Sequence, residues 1–298
     1  MASLEHPDYT RKIMDNHRTD SLLTNDGVRI HYVDVGQGEP VVLLPGFSQT
    51  AAQFAKQITE LSRDYRVIAV DHRGHGRSGK PDHGYRVSRL AGDLRDLIHT
   101  LDLREVTLLG HSLGCTVIWC YLDLFGGDRV GRLVLVDQAA VTSADLVPQE
   151  QAVELGGIFT AELAFGIAAG MRGANPDATA KMIVGMMHTP TLSGEDADWI
   201  TEQNLLLPRK HAVTLHLDHY GNDWRDVLPR ITVPTLVIGG ASSFFDARVP
   251  RWVAAQIPGA QVRVFSEAER GSHLMFWENP ELFNTVVREF LTTGRVTS

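Results

Sequence analysis

The chain has 298 residues, 43% of them hydrophobic and 21% charged, with a formal net charge of −8. That composition supplies a sizeable core without repeats or disordered tracts, and an acidic balance with no basic run argues against nucleic acid or an anionic membrane surface as a partner. No stretch approaches the length of a membrane span and the polar residues 1–18 lack an apolar leader, so a cytoplasmic protein is expected.

Residues 21–25 and 28–35 read as two strands joined at Asp26-Gly27, a pair that tolerates the positive φ values of a type I′ hairpin turn. Residues 41–44 and 67–70 are short, wholly apolar runs with a helix-like segment, 51–61, between them. Strands buried on both faces have this character. Leu90, Leu94, Leu97, Ile98 and Leu101 recur at helical spacing, which predicts an amphipathic helix over 88–101. A strand at 106–109, a helix over 115–125 and a strand at 133–136 follow. This alternation implies an α/β fold with a doubly wound, mostly parallel sheet.

From 139 to 224 the pattern is helical throughout, with helices expected at 148–169, 176–187, 195–206 and 209–220; Asn175 is the N-cap and Pro176 the first residue of the second. Strands resume at 235–238 and 262–265, and 280–291 closes the chain as a helix capped by Asn279. The expected organisation is an N-terminal extension (1–20), a core (21–138 and 225–298) and an all-helical cap (139–224). The cap is rich in Met and aromatic residues, including Phe159, Phe165, Met171, Met182, Met186, Met187 and Trp199. Most of these are expected in its own core and the rest around an apolar substrate pocket.

Gly110-His111-Ser112-Leu113-Gly114 is the most informative segment: a G-x-S-x-G pentapeptide between an apolar strand and a helix. A serine hydroxyl is a weak nucleophile, so it must stand clear of the sheet where a histidine can take its proton and backbone N–H groups can hold an oxyanion. The flanking glycines allow the strained turn this requires. Cys115 and Cys120 are five positions apart on the following helix, which makes a disulfide between them unfavourable, and Cys115 reads as a small apolar filler. His72 and His75, and the trio His211, His216 and His219, lack the partners or spacing of a metal site. His111 reads as packing beneath the serine turn.

Leu43-Leu44-Pro45-Gly46-Phe47, Asp71-His72-Arg73-Gly74-His75-Gly76-Arg77-Ser78, the pentapeptide and Gly271-Ser272-His273 together resemble the α/β-hydrolase fold family, in an esterase- or lactonase-like form with a helical cap. The resemblance spans 21–292. It implies Ser112 as nucleophile, His273 as base, and the backbone N–H groups of Phe47 and Leu113 as the oxyanion hole. Pro45 departs from the family, which usually has histidine before that glycine. The acid is less plain. The family usually carries it about three residues past a glycine after the strand at 235–238, where this chain has Ser243 and, later, Asp246. Several branches place it instead where Asp137 stands, and Asp137 is favoured, with Asp246 the alternative.

The resemblance implies a serine hydrolase acting on a hydrophobic ester or lactone through a Ser-His-Asp triad and an acyl-enzyme, with no metal or organic cofactor. The expected partner is a small hydrophobic carbonyl substrate, not nucleic acid or a membrane. A serine nucleophile argues against the dehalogenases and epoxide hydrolases of the family, which use aspartate. A cofactor-free oxygenase or a ligand-binding receptor on the same fold is the alternative. The acyl and leaving groups, and the oligomeric state, are not legible in the residues.

Overall fold

The computed structural model describes residues 19–296. Its strands are β1 (Thr19–Leu23), β2 (Arg29–Val35), β3 (Pro40–Leu44), β4 (Arg66–Val70), β5 (Val106–His111), β6 (Val130–Val136), β7 (Thr235–Gly240) and β8 (Gln261–Phe265). They form one sheet in the order β1-β2-β4-β3-β5-β6-β7-β8. The pairs β1/β2 and β2/β4 are antiparallel and all the others parallel. Alternating side chains feed two cores, as the strand period of two requires. Val42, Leu44, Leu108, Leu133 and Leu135 pack on one face, and Val41, Leu43, Leu109, Val134 and Val136 on the other. The first face carries α2 (Val87–Thr100) and α3 (Leu113–Phe125); the second carries α1 (Ala55–Leu61) and the C-terminal helix (Pro280–Thr293).

Helices α4 (Ala161–Arg172), α5 (Pro176–Gly185), α6 (Gly194–Leu205) and α7 (Arg209–Tyr220) fill the connection from β6 to β7. Helix α8 (Arg248–Gln256) lies between β7 and β8, and α9 (Pro280–Thr293) ends the fold. Asn175 and Asn279 cap α5 and α9 through their side chains. Among the described residues no helix is long and apolar enough to cross a membrane.

Three local expectations need correction. Gly27 alone of the hairpin pair has positive φ (78°), while Gly27 N–H donates to Thr24 and Thr24 N–H to Val28. The connection is thus a three-residue loop ending in a left-handed glycine rather than a two-residue type I′ turn. The helix expected over 148–169 is broken. One turn at Ala152–Leu155 ends at Gly156, which is left-handed (φ 82°), and an extended stretch follows. Helix α4 begins only where the Thr160 hydroxyl accepts from Leu163 N–H. Ala and Leu propensity on either side hid this glycine break. The expected extension, 1–20, falls on residues outside the described ones up to 18, and Thr19 and Asp20 belong to β1.

Candidate active site

The end of β5 sets the geometry. Ser112 follows it with φ 51° and ψ −121°, a conformation rarely adopted by a residue with a side chain. Such strain costs roughly 1–3 kcal/mol. It is outweighed by the helix it launches: Val117, Ile118 and Trp119 of α3 are fully buried, and burying each such side chain stabilises by about 1.5–3 kcal/mol. The turn also needs backbones to touch. A Cβ on Gly110 would lie 2.6 Å from Gly114 C, and one on Gly114 would lie 2.2 Å from Leu44 O. Gly46 is pressed in the same way against His111 and Ser112.

Asp137 directly follows β6, the neighbouring strand, also at positive φ (50°), and its N–H donates to Ile238 O of β7. Its Oδ2 accepts from His273 Nδ1 at 2.6 Å. Both side chains are buried. The same oxygen accepts from the Ser243 hydroxyl, and Oδ1 accepts from Gly240 N–H at 3.3 Å. Asp246 goes elsewhere. It pairs with Arg248 at 2.8 Å on the surface and accepts from Arg248 N–H, and that cation lowers its carboxyl below the usual range. The bond from Asp137 fixes the His273 tautomer, with hydrogen on Nδ1 and the lone pair on Nε2. Ser112 is half-buried, and its hydroxyl points at Gln138 Oε1, 3.5 Å away, rather than at the imidazole.

Ser112 and His273 open into a cavity of about 220 Å³ between sheet and cap, together with Phe47 from the β3 loop. Cap residues form most of its wall, among them Phe159, Leu163, Met182, Met186 and Met187. Of the remaining Met and aromatic residues noted in the sequence, Met171 and Trp199 are buried in the core and Phe165 is exposed. Leu113 opens α3 directly after the serine, so its N–H stands at a helix start with no intrahelical acceptor.

The chain matches the family model for the alpha/beta hydrolase fold over residues 39–280. It is an α/β hydrolase by family. It is 31% identical to a non-heme chloroperoxidase of Kitasatospora aureofaciens, over 90% of this chain and 98% of the relative. It is 26% identical to a soluble epoxide hydrolase of Corynebacterium, over 89% and 94% respectively. An esterase from Exiguobacterium antarcticum superposes with a TM-score of 0.84 at 25% identity, covering 92% of this chain and 99% of that one.

Several supporting residues of this α/β hydrolase escaped the sequence reading. His111 is more than packing: its Nε2 lies 2.9 Å from the His273 carbonyl, which can only accept, so Nε2 carries the hydrogen and Nδ1 accepts from Gln53 at 3.3 Å. Burial drives its basicity well below that of free imidazole. Glu278 accepts from the Ser272 hydroxyl at 2.5 Å, from Thr189 N–H at 2.9 Å and from the Thr189 hydroxyl, tying the histidine loop to the cap. The Ser48 hydroxyl, beside Phe47, donates to Asn204 O at 2.7 Å and accepts from Arg209, a second tie to the cap. His72 is bonded to the Pro45 backbone, so the departure at Pro45 leaves that loop anchored. Only the G-x-S-x-G context of His111 was legible. The others are long-range pairs between ordinary polar residues. Cys115 and Cys120 are free and buried, and burial pushes both thiols up, Cys120 to about 12, which makes neither a nucleophile at neutral pH.

Proposed function

We propose that the protein is a serine hydrolase that cleaves a hydrophobic ester or lactone. The observation that carries this reading is the Asp137–His273 bond of 2.6 Å at the floor of an apolar cavity that also holds Ser112. Asp137 holds the imidazole so that Nε2 can take the Ser112 proton as Oγ attacks the substrate carbonyl carbon. The N–H groups of Phe47 and Leu113 are the donors for the oxygen that becomes negative. Being backbone groups, they are fixed before charge develops. His273 then returns the proton to the leaving oxygen, an acyl-enzyme forms on Ser112, and water activated by the same imidazole releases the acid. For this step the serine hydroxyl has to leave Gln138, at which it points, and turn to the imidazole. The wall chemistry supports an uncharged, largely apolar substrate.

The test is hydrolysis of 4-nitrophenyl esters together with labelling by a fluorophosphonate. Ser112→Ala is expected to lose turnover by on the order of a millionfold and to resist labelling, with an unchanged circular dichroism spectrum. More than a few per cent residual activity in a clean preparation sinks the assignment. A cofactor-free oxygenase would instead consume dioxygen, and a receptor would bind without steady turnover.

A further inference from the structure

We propose that His216 and His219 of the cap form a subsite for a hydroxyl group carried on the otherwise apolar substrate. The proposal rests on reading the cavity as the substrate pocket of a serine hydrolase. Both residues line that cavity from one face of α7, three positions apart, in a largely apolar wall whose other polar side chains are Ser112, Gln138, Thr142, Tyr220 and His273. His216 sits beside Phe47, with ring centroids 5.8 Å apart.

The two imidazoles present opposite chemistry. His216 Nε2 lies 3.0 Å from Ala164 O, a carbonyl that can only accept, so the hydrogen is on Nε2 and Nδ1 keeps a lone pair. Nδ1 of His219 is buried with no hydrogen-bond partner among the described residues. A bare lone pair is cheaper there than an orphaned N–H, which puts the hydrogen on Nε2, the nitrogen left for the cavity. Burial keeps both rings neutral: it lowers the basicity of His216, and that of His219 falls to about 3 with help from its neighbour.

One lone pair and one N–H on adjacent turns match a hydroxyl, which donates and accepts at once. A ketone would satisfy His219 alone. A carboxylate would meet two neutral rings in a cavity whose lining contains no arginine or lysine. Tyr220 does not compete, since its hydroxyl donates to Asp145 at 2.7 Å. A site built around a hydroxyl discriminates strongly against the analogue lacking it.

The experiment compares 4-nitrophenyl octanoate with its monohydroxylated chain isomers. The wild-type enzyme is expected to favour at least one isomer over the plain ester by about tenfold or more in kcat/KM. His219→Phe should bring that ratio to about 1. His219 is the decisive position because His216 also ties α7 to α4. A purely structural role would lower both substrates alike and keep the ratio. No preferred isomer in the wild type, or a ratio that survives His219→Phe, overturns the proposal. If no ester is cleaved, the hydrolase reading fails on its own, and the subsite is read from calorimetric binding of long-chain methyl ketones, with and without a chain hydroxyl, to Ser112→Ala. Tighter binding of a hydroxylated ketone that His219→Phe removes supports the subsite; equal binding overturns it.

Discussion

Asp137 stands against His273, where several branches of the family carry their acid, and Ser243 occupies the place after β7 where the family more usually carries it. The position after β7, where the family usually has its acid, holds a hydroxyl that donates to a carboxylate reaching across from the end of β6. The carboxylate therefore keeps its place against the imidazole while its backbone origin moves one strand over. Asp137→Asn should lower kcat by up to roughly ten-thousandfold, because an amide can stabilise the wrong tautomer. Asp246→Asn should leave kcat within experimental error, since Asp246 serves Arg248 on the surface. Steady-state kinetics of the two purified variants decide between them, and the reverse pattern would return the acid to the β7 loop. Sequence could favour Asp137 over Asp246 from its strand-end position and the family branches that carry an acid there, but it could not show the bond to His273, which spans 136 residues.

The serine turn is set by glycines that let three elements meet, β3, β5 and α3. Gly114→Ala places a methyl 2.2 Å from Leu44 O, a backbone atom that cannot swing aside. Overpacking of this kind costs about 1–3 kcal/mol or more. The expected outcome is a clearly lowered melting temperature with turnover reduced further still, because Leu113 N–H and Ser112 move with the helix start. A variant with wild-type melting and rate would show that the turn has slack that its contacts do not suggest. The cap obeys different rules. Its helices α5, α6 and α7 follow their sequence periodicity, whereas the stretch before α4 takes an irregular path. There Gly156 stops one turn, and pairing of Phe159 with Ser143 holds the next stretch extended. Helical propensity has no term for that tertiary pairing.

At the scale of the whole molecule, the histidines buried as neutral rings govern behaviour in acid. Burial lowers His72 to about 3, His75 to about 4 and His219 to about 3, and it drives His111 well down. For each, the unfolded chain binds a proton below about pH 6.5 that the native fold refuses, so stability falls as pH drops from there towards the native values. Each ring adds a slope of up to about 1.4 kcal/mol per pH unit. Asp71, lowered by its hydrogen bonds to His31 and to backbone N–H groups despite full burial, stabilises the fold above about pH 4 and lets go only in stronger acid. Asp93 and Asp196 are raised by burial and offset part of the histidine slope. Urea titrations at pH 7.5 and 5.0 should show a loss of several kcal/mol at the lower pH. A flat profile across that range would mean that these rings find protons or solvent in the native state.

Much of this protein follows from local order in the chain. Short apolar runs fix the central parallel strands, because a strand covered on both faces has no polar alternate positions. The G-x-S-x-G segment fixes the sharp turn that carries Ser112, because only small neighbours admit that backbone. Capping residues at 175 and 279 start α5 and α9 where they stand. Tertiary structure decided the rest: which carboxylate meets His273, the ties of Glu278 and Ser48 to the cap, and the pair of imidazoles facing the cavity. Each depends on side chains far apart in sequence. Periodicity reports only whether a residue is buried or exposed, whereas the cavity depends on which element each buried face meets.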